Sequence, residues 1–245
     1  MFYVIKLVIG YNGTHFSGWQ RQQRKRTVQG VIEQALSQLF KTNIEIDGAG
    51  RTDRGVHAYG QVATFSVETT MPAERFHMLI NRRMPPDIEI HSAEIMPRAF
   101  HARYSAKAKR YCYKIHHGRA KDPMRSDHYL HVEKTLDLGV MREVAKHLIG
   151  EKDFRSFMAS GSHITNTVRE VYDIVLAEEG DVVNIEFYGN GFLYNMVRIM
   201  VGLMLDVEAG RIKLEEIEGI IAACDRTRLK HTAPAHGLYL VEVCY

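Results

Sequence analysis

Residues 168–188 read VREVYDIVLAEEGDVVNIEFY, and this stretch decides the fold class. Two runs rich in Val, Ile, Tyr and Phe, at 168–176 and 182–188, flank the turn Glu178-Glu179-Gly180-Asp181. Such runs favour extended chain, and a glycine-containing turn between them is typical of a β-hairpin. A hairpin joins antiparallel strands, whereas parallel strands need a long crossover connection. The stretch therefore predicts an α+β fold with a mixed or antiparallel sheet rather than a doubly wound parallel one.

Outside this hairpin, strands and helices alternate irregularly. Further strands are predicted at 2–9, 44–46, 60–67, 88–95, 110–115 and 237–244, and helices at 28–40, 73–83, 137–149, 192–207 and 214–224. Thr27 precedes the first helix and can cap it. Because both halves of the chain contain similar elements, we expect two α+β domains, 1–104 and 105–245, that share one sheet.

The composition is that of an ordinary globular protein, with 45% hydrophobic and 25% charged residues in a chain of 245. Its three cysteines, Cys112, Cys224 and Cys244, are odd in number and far apart, so they support neither a disulfide framework nor a Cys-x-x-Cys metal site. No apolar run reaches the roughly 18 residues of a membrane span. The chain also opens as a strand rather than as a signal peptide. We therefore expect a cytoplasmic protein with reduced thiols and no membrane contact.

The charge distribution points to a nucleic acid partner. The net charge is only +3, from 32 basic and 29 acidic side chains. The basic residues nevertheless cluster at 21–26, 82–83, 103–110, 119–125 and 226–230. Clustered cations near Tyr104, Tyr111 and Tyr113 suit a phosphate backbone beside exposed bases. Each cluster alone is typical of a solvated surface, and the five together favour RNA or DNA.

Residues 48–58 read GAGRTDRGVHA and place Asp53 between Arg51 and Arg54 in a segment with three glycines. The glycine spacing differs from G-x-G-x-x-G, no Gly-Lys-Ser or Gly-Lys-Thr follows, and the segment precedes a strand, so a P-loop or dinucleotide loop is excluded. Nearby cations favour the ionised carboxylate. The loop is therefore either a solvated turn with an incidental ion pair or the site of a carboxylate nucleophile.

The predicted helix at 192–207 is apolar nearly all round up to Leu205, and Arg198 is the only charged side chain of that part. Such a helix is normally buried. A buried guanidinium needs a carboxylate partner, and Asp53 is the candidate of interest. The alternatives are that Arg198 extends to the surface or pairs with a structural acid.

Six segments carry further motifs in a fixed order. They are 11–22 (YNGTHFSGWQRQ), 50–58 (GRTDRGVHA), 100–113 (FHARYSAKAKRYCY), 150–157 (GEKDFRSF), 192–198 (FLYNMVR) and 233–240 (APAHGLYL). Together they resemble the motifs of the TruA-type tRNA pseudouridine synthases, the tRNA pseudouridine(38-40) synthase family. The resemblance runs from about residue 3 to the C-terminus.

This resemblance implies a fold, an activity and a partner. The fold is the pseudouridine synthase fold, with a mixed or antiparallel central sheet from two ferredoxin-like halves, flanking helices and a catalytic cleft between the halves. The activity is that of an isomerase that converts uridine to pseudouridine in the anticodon stem-loop of tRNA, at positions 38, 39 and/or 40. The reaction needs no metal, nucleotide or redox cofactor. Members act as homodimers, with one tRNA touching both subunits.

The resemblance also assigns roles to residues. Asp53 is the expected nucleophile, attacking either C1' of the ribose or C6 of the uracil. Tyr111 is expected to stack on the flipped base and to help remove the C5 proton, and Arg198 to pair with Asp53. Arg51 is expected to contact the RNA and help hold the target nucleotide out of the stack. The expected tRNA-contacting segment is Phe100, His101, Ala102, Arg103 and Tyr104.

One segment departs from the family pattern. Residues 160–165 (SGSHIT) contain no Arg or Lys at a place where relatives often carry a more basic or cysteine-containing tRNA-contact segment. This departure leaves the expected catalytic residues unchanged. It favours an altered or narrower choice of target position.

Thirteen histidines raise the possibility of a metal site. The best candidates are His116 with His117 and His128 with His131, but no adjacent Cys, Asp or Glu completes a ligand set, so no metal is expected. His57 is expected to fix the backbone of the Asp53 loop rather than to transfer protons. Two rival functions stay open: a non-enzymatic RNA-binding protein or tRNA chaperone, and a carboxylate-based hydrolase unrelated to RNA.

Overall fold

The structure is a computed structural model and describes residues 1–161 and 164–245. The chain forms two compact units: the first contains 1–107 and 239–245, and the second contains 108–238. The C-terminal segment 239–245 therefore groups with the first unit, whereas the sequence assigned it to the second domain. The division into functional domains at 104/105 stays a prediction.

In the described residues, the elements follow one another as strands, α-helices and short 3-10 turns. The strands are β1 (Phe2–Tyr11), β2 (Asp47–Gly48), β3 (His57–Glu68), β4 (Ile88–Met96), β5 (Ala108–His117), β6 (Leu130–Val132), β7 (Gly150–Asp153), β8 (Val168–Glu179), β9 (Val182–Gly189) and β10 (Leu238–Cys244). The α-helices are α1 (Val28–Phe40), α2 (Phe76–Asn81), α3 (Leu138–Leu148), α4 (Met196–Glu208) and α5 (Ile217–Ala222). Across residues 1–161 and 164–245, no helix has both the length and the apolar character needed to cross a bilayer.

In the first unit, β1 pairs antiparallel with both β3 and β4, and β2 pairs antiparallel with β3. Strand β10 pairs parallel with β3, where Tyr239 lies opposite His57. Every second residue of β1 from Ile5 to Ile9 is fully buried, as strand alternation requires. Helix α1 begins after Thr27, whose hydroxyl accepts a hydrogen bond from the Gly30 amide. The predicted cap is therefore confirmed.

In the second unit, β9 pairs antiparallel with β5 and β8, β8 pairs antiparallel with β7, and the short β6 runs parallel to β5. The predicted hairpin is confirmed as β8 and β9, with Gly180 in the turn at φ +63°. Helix α3 packs against α4 and β8. Its residues Met141, Val144 and Leu148, which helical spacing places on one face, are all fully buried.

The α+β class with mostly antiparallel strands is confirmed, but some predicted boundaries are wrong. The helix predicted at 192–207 begins only at Met196, because Asn195 has φ +62° and cannot continue a right-handed helix. The strand predicted at 44–46 does not form, and β2 contains only Asp47 and Gly48. Ile44 and Ile46 are still buried. The two isoleucines in the sequence therefore indicated burial, not strand pairing.

Truncation of the α1 core should destabilise the protein. Leu36 in α1 is fully buried. Leu36→Ala removes apolar contacts and leaves a cavity, so it should lower the unfolding free energy by about 2–5 kcal/mol. The matched control is Met78→Ala in α2, where the side chain is 47% exposed and the change should stay within about 0.5 kcal/mol. Urea unfolding measures both. Equal losses in the two variants would contradict the packing described for the first unit.

Candidate active site

Asp53 lies in a tight turn of the first unit. The amide of Val56 donates to the carbonyl oxygen of Asp53 at 3.1 Å, and Gly55 between them has φ +82°. A positive φ at this position is what a type II turn requires, which explains the glycine. Asp53 is half-buried, whereas the Arg51 and Arg54 side chains are exposed. The turn thus carries a half-buried Asp53, flanked in sequence by two exposed arginines.

Two glycines of the segment 11–22 pack directly on the backbone of this turn. A Cβ on Gly13 would lie 2.0 Å from the carbonyl oxygen of Val56, and one on Gly18 would lie 2.7 Å from the carbonyl oxygen of Thr52. The amide of Trp19 donates to that Thr52 oxygen at 3.0 Å. Gly18 also has φ +92°, a conformation that favours glycine. The motif at 11–22 therefore holds the turn by close backbone packing.

Buried side chains tie down both ends of the same loop. The hydroxyls of Tyr11 and Thr52 share a hydrogen bond of 2.7 Å. The side-chain amide of Gln61, which is fully buried in β3, donates to the carbonyl oxygen of Gly50 at 2.9 Å. Burial raises the pKa of the Tyr11 hydroxyl above its ordinary value, so it stays protonated. Tyr11 opens the motif at 11–22, whereas Gln61 belongs to none of the six motifs, and its contact joins distant parts of the sequence.

His57 follows the turn and is 1% exposed. Its Nδ1 accepts a hydrogen bond from the Gly13 amide at 3.1 Å, and its ring stacks on Tyr239 with centroids 4.7 Å apart. A ring nitrogen that accepts from a backbone amide carries no proton of its own. His57 therefore fixes the Gly13 backbone, and its expected role in holding the Asp53 loop itself stays a prediction.

In the second unit, Arg198 lies in the first turn of α4, and nearly all other residues of this helix are buried. The Arg198 Nε donates to the carbonyl oxygen of Ala233 at 2.7 Å, and Nη1 donates to Asn195 Oδ1 at 2.8 Å. The guanidinium is thus half-buried and oriented by two neutral acceptors within its own unit. Its pairing with Asp53 stays a prediction.

Tyr111 lies on β5, opposite Phe187 of β9, and is 9% exposed. Its ring meets that of Phe192 edge-on, with centroids 5.3 Å apart. Tyr111, Tyr113 and Ile115 are all buried, but so is Cys112 between them, so burial does not alternate along this part of the strand. An aromatic neighbour therefore sets the orientation of the Tyr111 ring, and only a small part of it is open.

The segment 100–104 divides into anchoring and exposed residues. Phe100 packs on Tyr245 with ring centroids 4.8 Å apart, and the fully buried Ala102 accepts a hydrogen bond from the Tyr245 hydroxyl at 2.8 Å. Tyr104 is 77% exposed, and Arg103 is exposed as well, with its guanidinium 5.7 Å from the Tyr104 ring centroid. The His101 ring lies 4.4 Å from that of Tyr104. The segment thus presents a cation and an aromatic face on an anchored backbone.

Several cations of the basic clusters serve the fold. Arg26 pairs with Asp87 through both carboxylate oxygens, at 2.7 and 2.9 Å. Hydrogen bonding to Arg26 lowers the pKa of that carboxyl below its usual range. Arg125 pairs with Asp181 at 2.9 Å. The clusters counted in the sequence therefore overstate the charge that a nucleic acid could use.

The predicted histidine candidates are engaged with acids and with one another. His116 Nδ1 lies 3.2 Å from His131 Nδ1, His116 Nε2 lies 2.7 Å from Asp181 Oδ2, and His117 pairs with Glu178. Over the described ranges 1–161 and 164–245, no set of three or more His, Cys, Asp or Glu side chains could hold a metal ion.

Of the segment 160–165, Ser162 and His163 lie outside the described residues, so the predicted effect of its composition stays untested.

Comparison with known proteins shows the family of this chain. The family model described as tRNA pseudouridine synthase matches residues 7–105 and 144–245. A tRNA pseudouridine synthase A of Ruminiclostridium cellulolyticum is 45% identical over 98% of this chain and 99% of its own length. The protein of that name from Acetivibrio thermocellus is 44% identical over 98% of this chain and 99% of its own length. The one from Lacticaseibacillus casei is also 44% identical, over 98% of each chain.

The backbone packing of the Asp53 turn predicts that a substitution at Gly18 destabilises the protein, whereas one at the unpacked Gly219 does not. Gly18→Ala places a Cβ 2.7 Å from a carbonyl oxygen at a positive φ, so it should lower the unfolding free energy by about 2 kcal/mol or more. Gly219→Ala in α5 meets no atom within 4 Å and should be neutral or stabilising by up to about 1 kcal/mol. Urea unfolding of both variants checks the signs. A neutral Gly18→Ala would refute the close packing of this loop.

Proposed function

The chain belongs to the tRNA pseudouridine synthases, isomerases that convert uridine to pseudouridine, and from this premise we propose that Asp53 is the nucleophile of its reaction. We further propose that its target uridines lie in the anticodon stem-loop of tRNA, at positions 38, 39 and/or 40. The observation that supports the first proposal is the closely packed, hydrogen-bonded turn that carries Asp53. The second proposal rests on the family resemblance of the six motifs.

The isomerisation exchanges one bond for another. The bond between N1 of uracil and C1' of ribose breaks, and a bond between C5 and C1' forms. C5 loses its proton and N1 gains one, so the base and the sugar are conserved and no electrons leave or enter. A carboxylate can serve by bonding transiently to C1' or to C6, and both routes stay open. In either route the carboxylate must be ionised and must face the carbon that it attacks. The backbone contacts at Gly13 and Gly18 support this orientation, because they hold the turn that carries Asp53.

The second unit supplies the proposed partners of the carboxylate. Arg198 is held by Ala233 and Asn195, so the orientation of its planar guanidinium is defined before any ligand binds. We assign it to pairing with Asp53, which would keep the carboxylate ionised. Tyr111 is assigned to stacking on the flipped uracil and to helping remove the C5 proton. Its hydroxyl and its apolar ring suit both tasks.

The tRNA contacts proposed for the first unit are Arg51 and the segment 100–104. Arg103 and Tyr104 combine an exposed cation with an exposed aromatic ring, which suits a phosphate beside an unstacked base. Phe100 and Ala102 act instead by anchoring the segment on Tyr245. Arg51 is exposed next to Asp53 and is assigned to holding the target nucleotide out of the stack. A homodimer and a cytoplasmic location are also proposed, on the family resemblance alone.

Replacement of the proposed nucleophile should abolish the reaction and leave tRNA binding intact. Asp53→Asn keeps the size of the side chain but removes the charge and the nucleophile, so the rate should fall by about 10⁴-fold or more. Carbodiimide-based pseudouridine mapping of bulk tRNA measures product, and a filter-binding titration measures affinity. The matched control is Glu74→Gln, an exposed acid of the same unit, which should keep the wild-type rate.

Each outcome of this experiment decides between functions. An Asp53→Asn variant as active as the wild type would exclude Asp53 as the nucleophile. No new pseudouridine with the wild type, together with tight tRNA binding, would favour the RNA-binding protein or chaperone. Modification outside the anticodon arm would exclude only the proposed target positions.

Removal of the Tyr104 ring and removal of the Arg103 charge should each weaken tRNA binding, in two different ways. Tyr104→Ala should cost about 1–3 kcal/mol of binding free energy through lost base stacking. Arg103→Ala should also lower the slope of log affinity against log salt by roughly one unit. The control is Phe2→Ala, a 48% exposed aromatic residue outside the segment. Affinity that does not change with salt would instead fit a hydrolase unrelated to RNA.

A further inference from the structure

One short stretch of backbone, at residues 233 and 234, forms hydrogen bonds with both α4 and β5. The amide of Ala233 donates to the carbonyl oxygen of Arg198 at 3.0 Å, and the Ala233 carbonyl oxygen accepts from Arg198 Nε at 2.7 Å. Ala233 thus holds both the backbone and the side chain of Arg198. It is fully buried, so no water competes for these bonds. Any shift of this stretch must turn the guanidinium.

The stretch is itself held by Tyr113, which the functional assignment leaves unused. The Tyr113 hydroxyl donates to the carbonyl oxygen of Pro234 at 2.8 Å. Proline has no amide hydrogen, so this carbonyl is its only backbone group able to form a hydrogen bond. Tyr113 lies in β5 and is fully buried, so its hydroxyl bonds to Pro234 inside the protein. Its hydroxyl therefore fixes the position of the peptide next to the one that binds Arg198.

The surroundings of Tyr113 fix the direction of its hydroxyl. A Cβ on Gly237 would lie 2.7 Å from the Tyr113 ring, so this glycine allows the ring to lie against the 235–237 turn. Burial raises the pKa of the hydroxyl, and the charge of Arg198 opposes that rise. The hydroxyl therefore stays protonated at neutral pH and can donate a hydrogen bond.

We infer that Tyr113 is a positioning residue for the isomerisation, acting on Arg198 through Pro234 and Ala233. The inference rests on the proposed function of Arg198. With Nε bound to Ala233 and Nη1 bound to Asn195, the plane of the guanidinium is set, and with it the direction of the Nη2 edge. Without the Tyr113 hydroxyl, Pro234 loses its anchor and this plane can turn. Tyr113 touches neither the uridine nor the nucleophile in this scheme.

The test is a double-mutant cycle on the full-length protein. Tyr113→Phe keeps the ring against Gly237 and removes only the hydroxyl, and it should lower kcat about tenfold, the equivalent of one hydrogen bond of ~1.4 kcal/mol, without changing KM for tRNA. In an Arg198→Lys background the same change should alter kcat less than about twofold, because the effect passes through the guanidinium. Tyr172→Phe, at a 41% exposed tyrosine of the same unit, is the control and should match the wild type.

A spectroscopic measurement separates this inference from the proposed function. The Nε–H signal of Arg198, assigned by its loss in Arg198→Lys, should exchange with solvent at least about tenfold faster in Tyr113→Phe than in wild type. An unchanged kcat in Tyr113→Phe, or equal losses in both backgrounds of the cycle, would overturn the inference. If the wild type forms no pseudouridine, the proposed function fails by itself. The exchange rate then still decides whether Tyr113 holds Arg198.

Discussion

The site depends on one contact, in which the backbone at Gly13 and Gly18 packs on the backbone of the Asp53 turn without room for a side chain. At Gly13 and Gly18 the first loop of the chain lies so close to residues 52–56 that even a methyl group would overlap a carbonyl oxygen. The hydrogen bonds from Trp19 and from Gln61, and the one between Tyr11 and Thr52, add to this packing. These contacts pack the loop closely against the rest of the first unit. The carboxylate of Asp53 is therefore placed by the fold rather than by its own neighbours in sequence.

Arg198 of the second unit is held in a similar way. Its guanidinium binds a main-chain carbonyl and a side chain of the same helix turn, and its backbone binds the same residue as its side chain. Groups that are fixed before a ligand arrives need little reorganisation when charge develops during a reaction. An isomerase without redox chemistry depends on such placement, because it must hold a base and a sugar that are no longer joined. Main-chain contacts thus hold the turn that carries Asp53 in the first unit and the guanidinium of Arg198 in the second.

Much of the fold could be predicted from local patterns in the sequence. The hairpin of β8 and β9, the cap at Thr27 and the buried face of α3 follow from strand alternation, turn chemistry and helical spacing. The start of α4 could not be predicted, because an apolar run does not reveal that Asn195 has φ +62°. The basic clusters were also overestimated, since the partners of Arg26 and Arg125 lie far away in sequence. For the site, the motifs pointed to Asp53, Tyr111 and Arg198, but the roles of Tyr113, Gln61 and Ala233 depend on contacts between distant segments.

The most direct test of this account is amide hydrogen exchange in the free protein at the two bonds that hold the turn. The Trp19 amide donates to Thr52 and the Val56 amide donates to Asp53. If the turn is fixed by the fold, both amides should exchange as slowly as the buried amides of β3, and should do so without any tRNA. Exchange as fast as that of the exposed hairpin turn at 180–181 would show that the loop is mobile and is shaped only by its ligand. That result would contradict the account.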